Sequence, residues 1–248
     1  MQIVPGAEPW SSDGNEVGVL VIHGFTGSPV SVKPWAQRLA AEGWTVTVPR
    51  LPGHGTTWQD ANTTTWQDWY GEVDNALADL KARCSTVFVM GLSMGGTLTL
   101  RLAEQHGDDI RGIVLVNPSI HTERWDRHLL PIIHRFIPSF PGISNDIAKP
   151  GQDEGAYDKI PVKAAYQLSQ MWADVKANLG RVIQPMLLFR SSVDHVVEPS
   201  NAAYVLLNVS TEDKEEVVLS DSYHVATLDY DAEIIISDSI EFVRRLSA

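Results

Sequence analysis

Six short apolar runs recur along the chain at Val17–Ile22, Thr45–Val48, Thr86–Met90, Gly112–Val116, Met186–Phe189 and Glu215–Leu219. They are rich in β-branched residues and run into Gly, Pro, Ser or Asp, the punctuation of strands. Between them apolar residues fall at helical spacing: Val32, Trp35, Ala36, Leu39 and Ala40, then Trp66, Trp69, Val73, Leu77 and Leu80, then Leu98, Leu102 and Ala103. A last stripe of Ile235, Ile236, Ile240 and Val243 predicts a closing helix over Asp231 to Leu246. Strands alternating with helices in this way predict βα units on a mostly parallel sheet.

The rhythm breaks between Pro118 and Gln184, where no strand-like run occurs. Leu129, Ile132, Ile133, Phe136, Ile137 and Phe140 cluster there, broken by Pro131, Pro138 and Pro141, so long regular helices are not expected around them. The chain therefore divides into a core of residues 1–117 and 185–248 and an insertion of residues 118–184. Long excursions of this kind are usually functional, which makes the insertion a candidate cap over a site. The plainer reading is a helical excursion that only pads the fold.

Composition narrows the classes. The 248 residues, 44% hydrophobic and 20% charged, suit one large folded domain with an insertion. A net charge of −12 repels nucleic-acid backbones and anionic surfaces, so nucleic acid is not an expected partner. The longest strongly apolar stretch, Val17–Ile22, is far short of the ~20 residues of a membrane helix. Met1 to Pro5 shows no secretory leader, which points to a cytoplasmic protein. Cys84 is the only cysteine; it forbids an internal disulfide or a thiolate metal site and reads as a small filler.

Gly91-Leu92-Ser93-Met94-Gly95 is a G-x-S-x-G sequence lying between a predicted strand and a helical stripe. That context is the strand-to-helix elbow that lifts a serine to the top of a sheet. The glycines are expected for steric reasons, because side chains two residues to either side would strike the neighbouring strand and helix. The turn also aims the N–H of Met94 at any oxyanion formed on Ser93. His23-Gly24-Phe25-Thr26-Gly27, after the first predicted strand, offers Phe25 N–H as a second donor. His23 itself is read as ordering that loop and neighbouring the substrate.

A serine needs a base, and the base needs a carboxylate to fix its tautomer. In the order Ser, acid, His, two histidines remain after those before the elbow, at the end of the next helix and in the insertion are set aside. His224 lies in a polar loop at the carboxyl edge of the sheet and is the preferred base. Asp194 is the preferred acid and Asp221 its rival; His195 is read as a loop residue and His54 as a brace.

These residues in this order resemble the α/β-hydrolase superfamily. HGFTG at His23, PRLPGHGT at Pro49, GLSMGGTLTL at Gly91, DHVV at Asp194 and SYHVATLDYD at Ser222 together resemble bacterial monoacylglycerol lipases and their carboxylesterase relatives. The likeness spans nearly the whole chain and is weakest in the insertion. It implies the α/β-hydrolase fold with a small inserted cap, a Ser93, His224 and Asp194 triad, and an oxyanion hole of Phe25 and Met94. It also implies an acyl tunnel under the cap, to which Ile132 and Phe136 contribute, and places on Glu154 the acid that bonds glycerol hydroxyls. A solvated surface carboxylate is the plain alternative for Glu154. The implied reaction is hydrolysis of monoacylglycerols through an acyl-enzyme, with no metal or organic cofactor and a lipid ester as partner. The apolar cap cluster leaves room for transient contact with lipid surfaces. A broad carboxylesterase, a carbon–carbon bond hydrolase with the same triad, and a binding protein with silenced chemistry are the alternatives. Dehalogenase and epoxide hydrolase chemistry needs a carboxylate where Ser93 stands.

Overall fold

The structure, a computed structural model, describes residues 2–247. In chain order the elements are β1 (Trp10–Ser12), β2 (Val17–Ile22), α1 (Lys33–Ala40), β3 (Thr45–Val48), α2 (Trp58–Ala61), α3 (Trp66–Lys81), β4 (Thr86–Leu92), α4 (Met94–His106) and β5 (Gly112–Val116). Then come α5 (Leu130–Ile133), β6 (Ser139–Pro141), β7 (Lys159–Pro161), α6 (Val162–Asn178), β8 (Met186–Ser191), α7 (Ser200–Asn208), β9 (Lys214–Leu219) and α8 (Ala232–Ser247). Seven strands form one sheet in the order β1-β3-β2-β4-β5-β8-β9, parallel except for the antiparallel edge strand β1. This is the expected α/β-hydrolase fold.

The central strands β2, β4, β5 and β8 are largely apolar because both their faces are covered, whereas the edge strands β1 and β9 are more polar and more exposed. Side chains alternate faces along a strand. Leu20, Ile22, Val87, Val89, Ile113 and Leu115 point into one core with α3, α4 and α6. Val19, Val21, Phe88, Met90, Val114 and Val116 point into the other with α1 and α8. Trp35 and Trp69, both fully buried, anchor one core each. Helix α3 starts on a capping box in which Thr65 and Asp68 satisfy each other's amides.

The expected insertion is not uniform. Residues 121–161 leave the sheet after β5 and carry only single helical turns and the β6–β7 hairpin. Helix α6 instead buries Ala164, Leu168, Met171 and Val175 in the same core as Leu98 and Leu102 of α4. Its 17 residues form part of the helical layer, so the projecting segment ends near Pro161. The helix lies beyond the Pro-broken cluster, where no proline interrupts it. Strands β6 and β7 also fall in a stretch read as strandless; they are three residues each, too short for an apolar run to announce them. No helix among the described residues is long and apolar enough to cross a membrane.

The register aligns the carboxyl ends of the strands: Ile22 pairs with Gly91, Leu92 with Val116 and Ser191 with Leu219. Loops leaving β2, β4, β5, β8 and β9 thus meet along one edge, the usual place for a site in such sheets.

Candidate active site

Ser93 sits between β4 and α4 with φ +56 and ψ −116, a strained conformation for a residue with a Cβ. Its peptide is held from both sides: its N–H donates to Val116 O at 2.9 Å, and its O accepts from Gly96 and Ser119 at 2.9 and 3.2 Å. The elbow needs its glycines because a Cβ on Gly91 would stand 2.2 Å from the Gly95 backbone, and one on Gly95 2.2 Å from Ile22 O. As the first residue of α4, Met94 has an N–H without an intrahelical acceptor. Gly24, the residue before Phe25, is close enough that a Cβ there would lie 3.3 Å from Ser93 Cβ and 3.8 Å from Ser93 Oγ.

Ser93 Oγ donates to His224 Nε2 at 2.9 Å, and His224 Nδ1 donates to Asp194 Oδ2 at 2.8 Å. Asp194 Oδ1 accepts the N–H groups of Val196 and Val197, each at 2.8 Å. Ser93 is 6% and His224 7% exposed. Burial pulls the pKa of His224 down, but the charge and hydrogen bond of Asp194, with Glu154 and Asp146 behind them, outweigh it and leave it above the ordinary histidine value. Burial likewise raises Asp194, and the His224 interaction with the two amides outweighs it, holding the carboxyl below its usual range. A carboxylate beside an imidazole that accepts a serine proton is an acyl-transfer arrangement.

The other candidates fall as follows. His23 is fully buried; Nδ1 donates to Gly24 O and Nε2 accepts from Leu51 N–H, so it ties the Gly24 loop to the loop after β3 and has no nitrogen left for substrate. Burial lowers its pKa to about 3 and that of its neighbour His54 to about 4, keeping both neutral. Asp221 is exposed, and its amide bonds Asp231. Cys84 is buried beneath Gly18. Half-buried Glu154 accepts from Asn145 N–H through Oε1, while Oε2 lies 3.5 Å from where a Cβ on Gly27 would stand. Its carboxyl is raised above the usual range, chiefly by burial. Ile132 and Phe136 are 62% and 79% exposed and present their side chains to solvent, not to a closed tunnel.

Several residues were not singled out in the sequence. Asn117, in left-handed backbone (φ +44) just past β5, donates through Nδ2 to His224 O at 2.8 Å and to Ser191 Oγ at 3.0 Å. Ser191 Oγ in turn donates to Tyr223 O at 2.8 Å. An Asn directly after a buried strand is a readable hint, since Asn tolerates that backbone. Asp146 and Asp229, described below, leave no such local mark.

The model of the hydrolase family described as serine aminopeptidase, S33, matches residues 15–231. The chain belongs to this family. This serine hydrolase is 46% identical over 245 residues to a thermostable monoacylglycerol lipase of Bacillus sp. (strain H-257), covering 97% of this chain and 95% of that one. It is 27% identical over 242 residues to a carboxylesterase of Bacillus subtilis (strain 168), covering 96% and 97% of the two chains. Among solved structures it superposes with a TM-score of 0.95 and 41% identity on one from a study of the metagenome-derived lipolytic enzymes LipS and LipT, covering 98% and 100%. The hydrolase thus shares whole-length similarity with enzymes named for ester cleavage.

Proposed function

We propose that the hydrolase cleaves monoacylglycerols to fatty acid and glycerol, with Ser93 as nucleophile, His224 as base and Asp194 as the acid that holds it. His224 takes the Ser93 proton as Oγ bonds to the acyl carbon, and the carbonyl oxygen becomes an oxyanion received by the Phe25 and Met94 amides. Collapse breaks the bond to glycerol, whose oxygen takes the proton from His224. Water then repeats the sequence on the acyl-enzyme and releases the acid. The observation that carries this reading is the relay of 2.9 and 2.8 Å ending on a serine at a helix N-terminus.

Whole-length likeness to a monoacylglycerol lipase supports the substrate. Glu154, beside the Gly27 loop and within the field of His224, is suited to receive glycerol hydroxyls. With Ser93 nearly covered, residues 121–161 act as a lid whose front shifts to admit the acyl chain. The carboxylesterase relative favours a second reading of broad ester scope.

A substrate panel tests this. Wild type should hydrolyse medium-chain monoacylglycerols in preference to short acetyl esters and aminoacyl amides. Ser93→Ala should lose ~10⁴-fold or more in kcat. Undiminished turnover by Ser93→Ala contradicts the triad, and a preference for acetyl esters contradicts the substrate. Because His224 must be neutral to accept the proton, kcat/KM should fall on the acid side, with its midpoint above the ordinary histidine value of 6.5.

A further inference from the structure

His224 lies in a loop between β9 and α8 that no sheet ladder fixes, so its position depends on bonds from elsewhere. Asn117 holds its carbonyl, as above. Its N–H is held from the cap: Asp146 Oδ2 accepts it at 3.2 Å. The same oxygen accepts the N–H of His195, the residue next to Asp194, also at 3.2 Å. Asp146 Oδ1 accepts His195 Nδ1–H at 2.7 Å, and its main-chain O accepts Val225 N–H at 3.1 Å. Asp146 is 9% exposed; its bond to the His224 N–H is buried, while its two bonds to His195 are part-buried.

Asp229, 1% exposed, seats the same stretch. Its carboxylate accepts Ala148 and Lys149 N–H from the cap at 2.7 and 2.9 Å, and Tyr223 N–H beside His224 at 2.9 Å. The strap of residues 145–149 is thereby bonded to the two loops that carry the base and the acid.

We infer that Asp146 is a positioning residue for the hydrolysis: by bonding the His224 and His195 amides through one carboxylate, it fixes the base loop against the acid loop. The inference rests on the triad proposed above. With its C=O on Asn117 and its N–H on Asp146, the His224 peptide is pinned on both sides, and the ring keeps freedom only about its side-chain torsions. The charged groups facing that ring are Asp194 from the loop after β8 and Glu154 and Asp146 from the cap, and each favours the imidazolium.

Two variants separate the bonds from the charge, with kcat, KM and the pH profile read on p-nitrophenyl butyrate. Asp146→Ala loses both, and kcat should fall about tenfold or more with KM little changed. Asp146→Asn keeps an oxygen for both amides; kcat at pH 8 should stay within about threefold of wild type, with the acid limb displaced downward, the direction expected on losing a negative charge near His224. A folded Asp146→Ala with wild-type kcat overturns the inference. So does an Asp146→Asn whose kcat at pH 8 falls about tenfold or more, since its side-chain oxygen still accepts both amides, a result that decides the matter even where the alanine variant fails to fold. A wild type that cleaves this ester but no monoacylglycerol contradicts the substrate reading alone, and Ser93→Ala active on the ester contradicts the triad itself.

Discussion

The projecting segment contains two regions of opposite character. Its front, residues 125–143, exposes Trp125, Ile132, Phe136 and Ile143 at 57% or more, the first two on short helical turns without side-chain caps and the others outside any helix. Its strap, residues 145–149, has few large apolar side chains, yet Asp146 and Asp229 stitch its backbone to the His224 loop. Apolar content drew attention to the front, whereas polar bonding ties the strap to the chemistry. The two should differ in the same way in solution, because opening free energy follows local burial and hydrogen bonding. Under the proposed function, substrate access belongs to the front and the setting of His224 against Asp194 to the strap.

The largest expected effect breaks the strap. Asp229→Ala removes a buried carboxylate that accepts four part-buried amides, and unfolding free energy should fall by about 3 kcal/mol, lowering Tm by roughly 6–12 °C in a thermal melt. A Tm within about 2 °C of wild type would mean that the strap is not stitched by this carboxylate. Next, Glu154→Gln should raise KM for monoacylglycerol about tenfold while leaving KM for p-nitrophenyl butyrate unchanged at pH 8, since only one of the two substrates offers hydroxyls to a carboxylate. Equal changes on both substrates would contradict a glycerol contact.

A control outside the segment sharpens the comparison. The Glu104 side chain on α4 is fully buried beside Arg101, and burial raises its pKa from 4.5 to about 8. Between these values the unfolded chain releases a proton that the fold retains, so stability contributed below pH 4.5 is lost as the pH rises through 8. Glu104→Gln carries no such proton, and its stability relative to wild type should increase across that window, by about 1 kcal/mol or more at pH 8, with kcat unchanged. Denaturant melts at pH 5 and pH 8 measure it; a constant difference would contradict the raised pKa. The smallest effect is expected at the front. Phe136→Ser should alter stability by less than about 0.5 kcal/mol, with any loss confined to long-chain esters.

Most of the sheet was legible because β2, β4, β5 and β8 are buried on both faces and must be apolar. Strand β1 was not: Trp10-Ser11-Ser12 is too short and polar to announce itself, and pairing with β3 makes it a strand. Helix α7, bounded by Pro199, was likewise passed over. Ser93, His224 and Asp194 could be found because each occupies a loop end with a distinct chemical signature. Asp146 and Asp229 could not, since an acid that accepts amides some 80 residues away looks in sequence like any other acid. Local pattern records what a residue does to its neighbours in the chain; the bonds by which these two tie the strap to the His224 loop are made between neighbours in space.

The most direct test is intact-mass and peptide mapping after treatment with a fluorophosphonate. The account predicts one adduct, on the peptide that carries Ser93, absent in Ser93→Ala and formed ~10³-fold more slowly in His224→Ala. An adduct elsewhere, or labelling of His224→Ala at the wild-type rate, would contradict it.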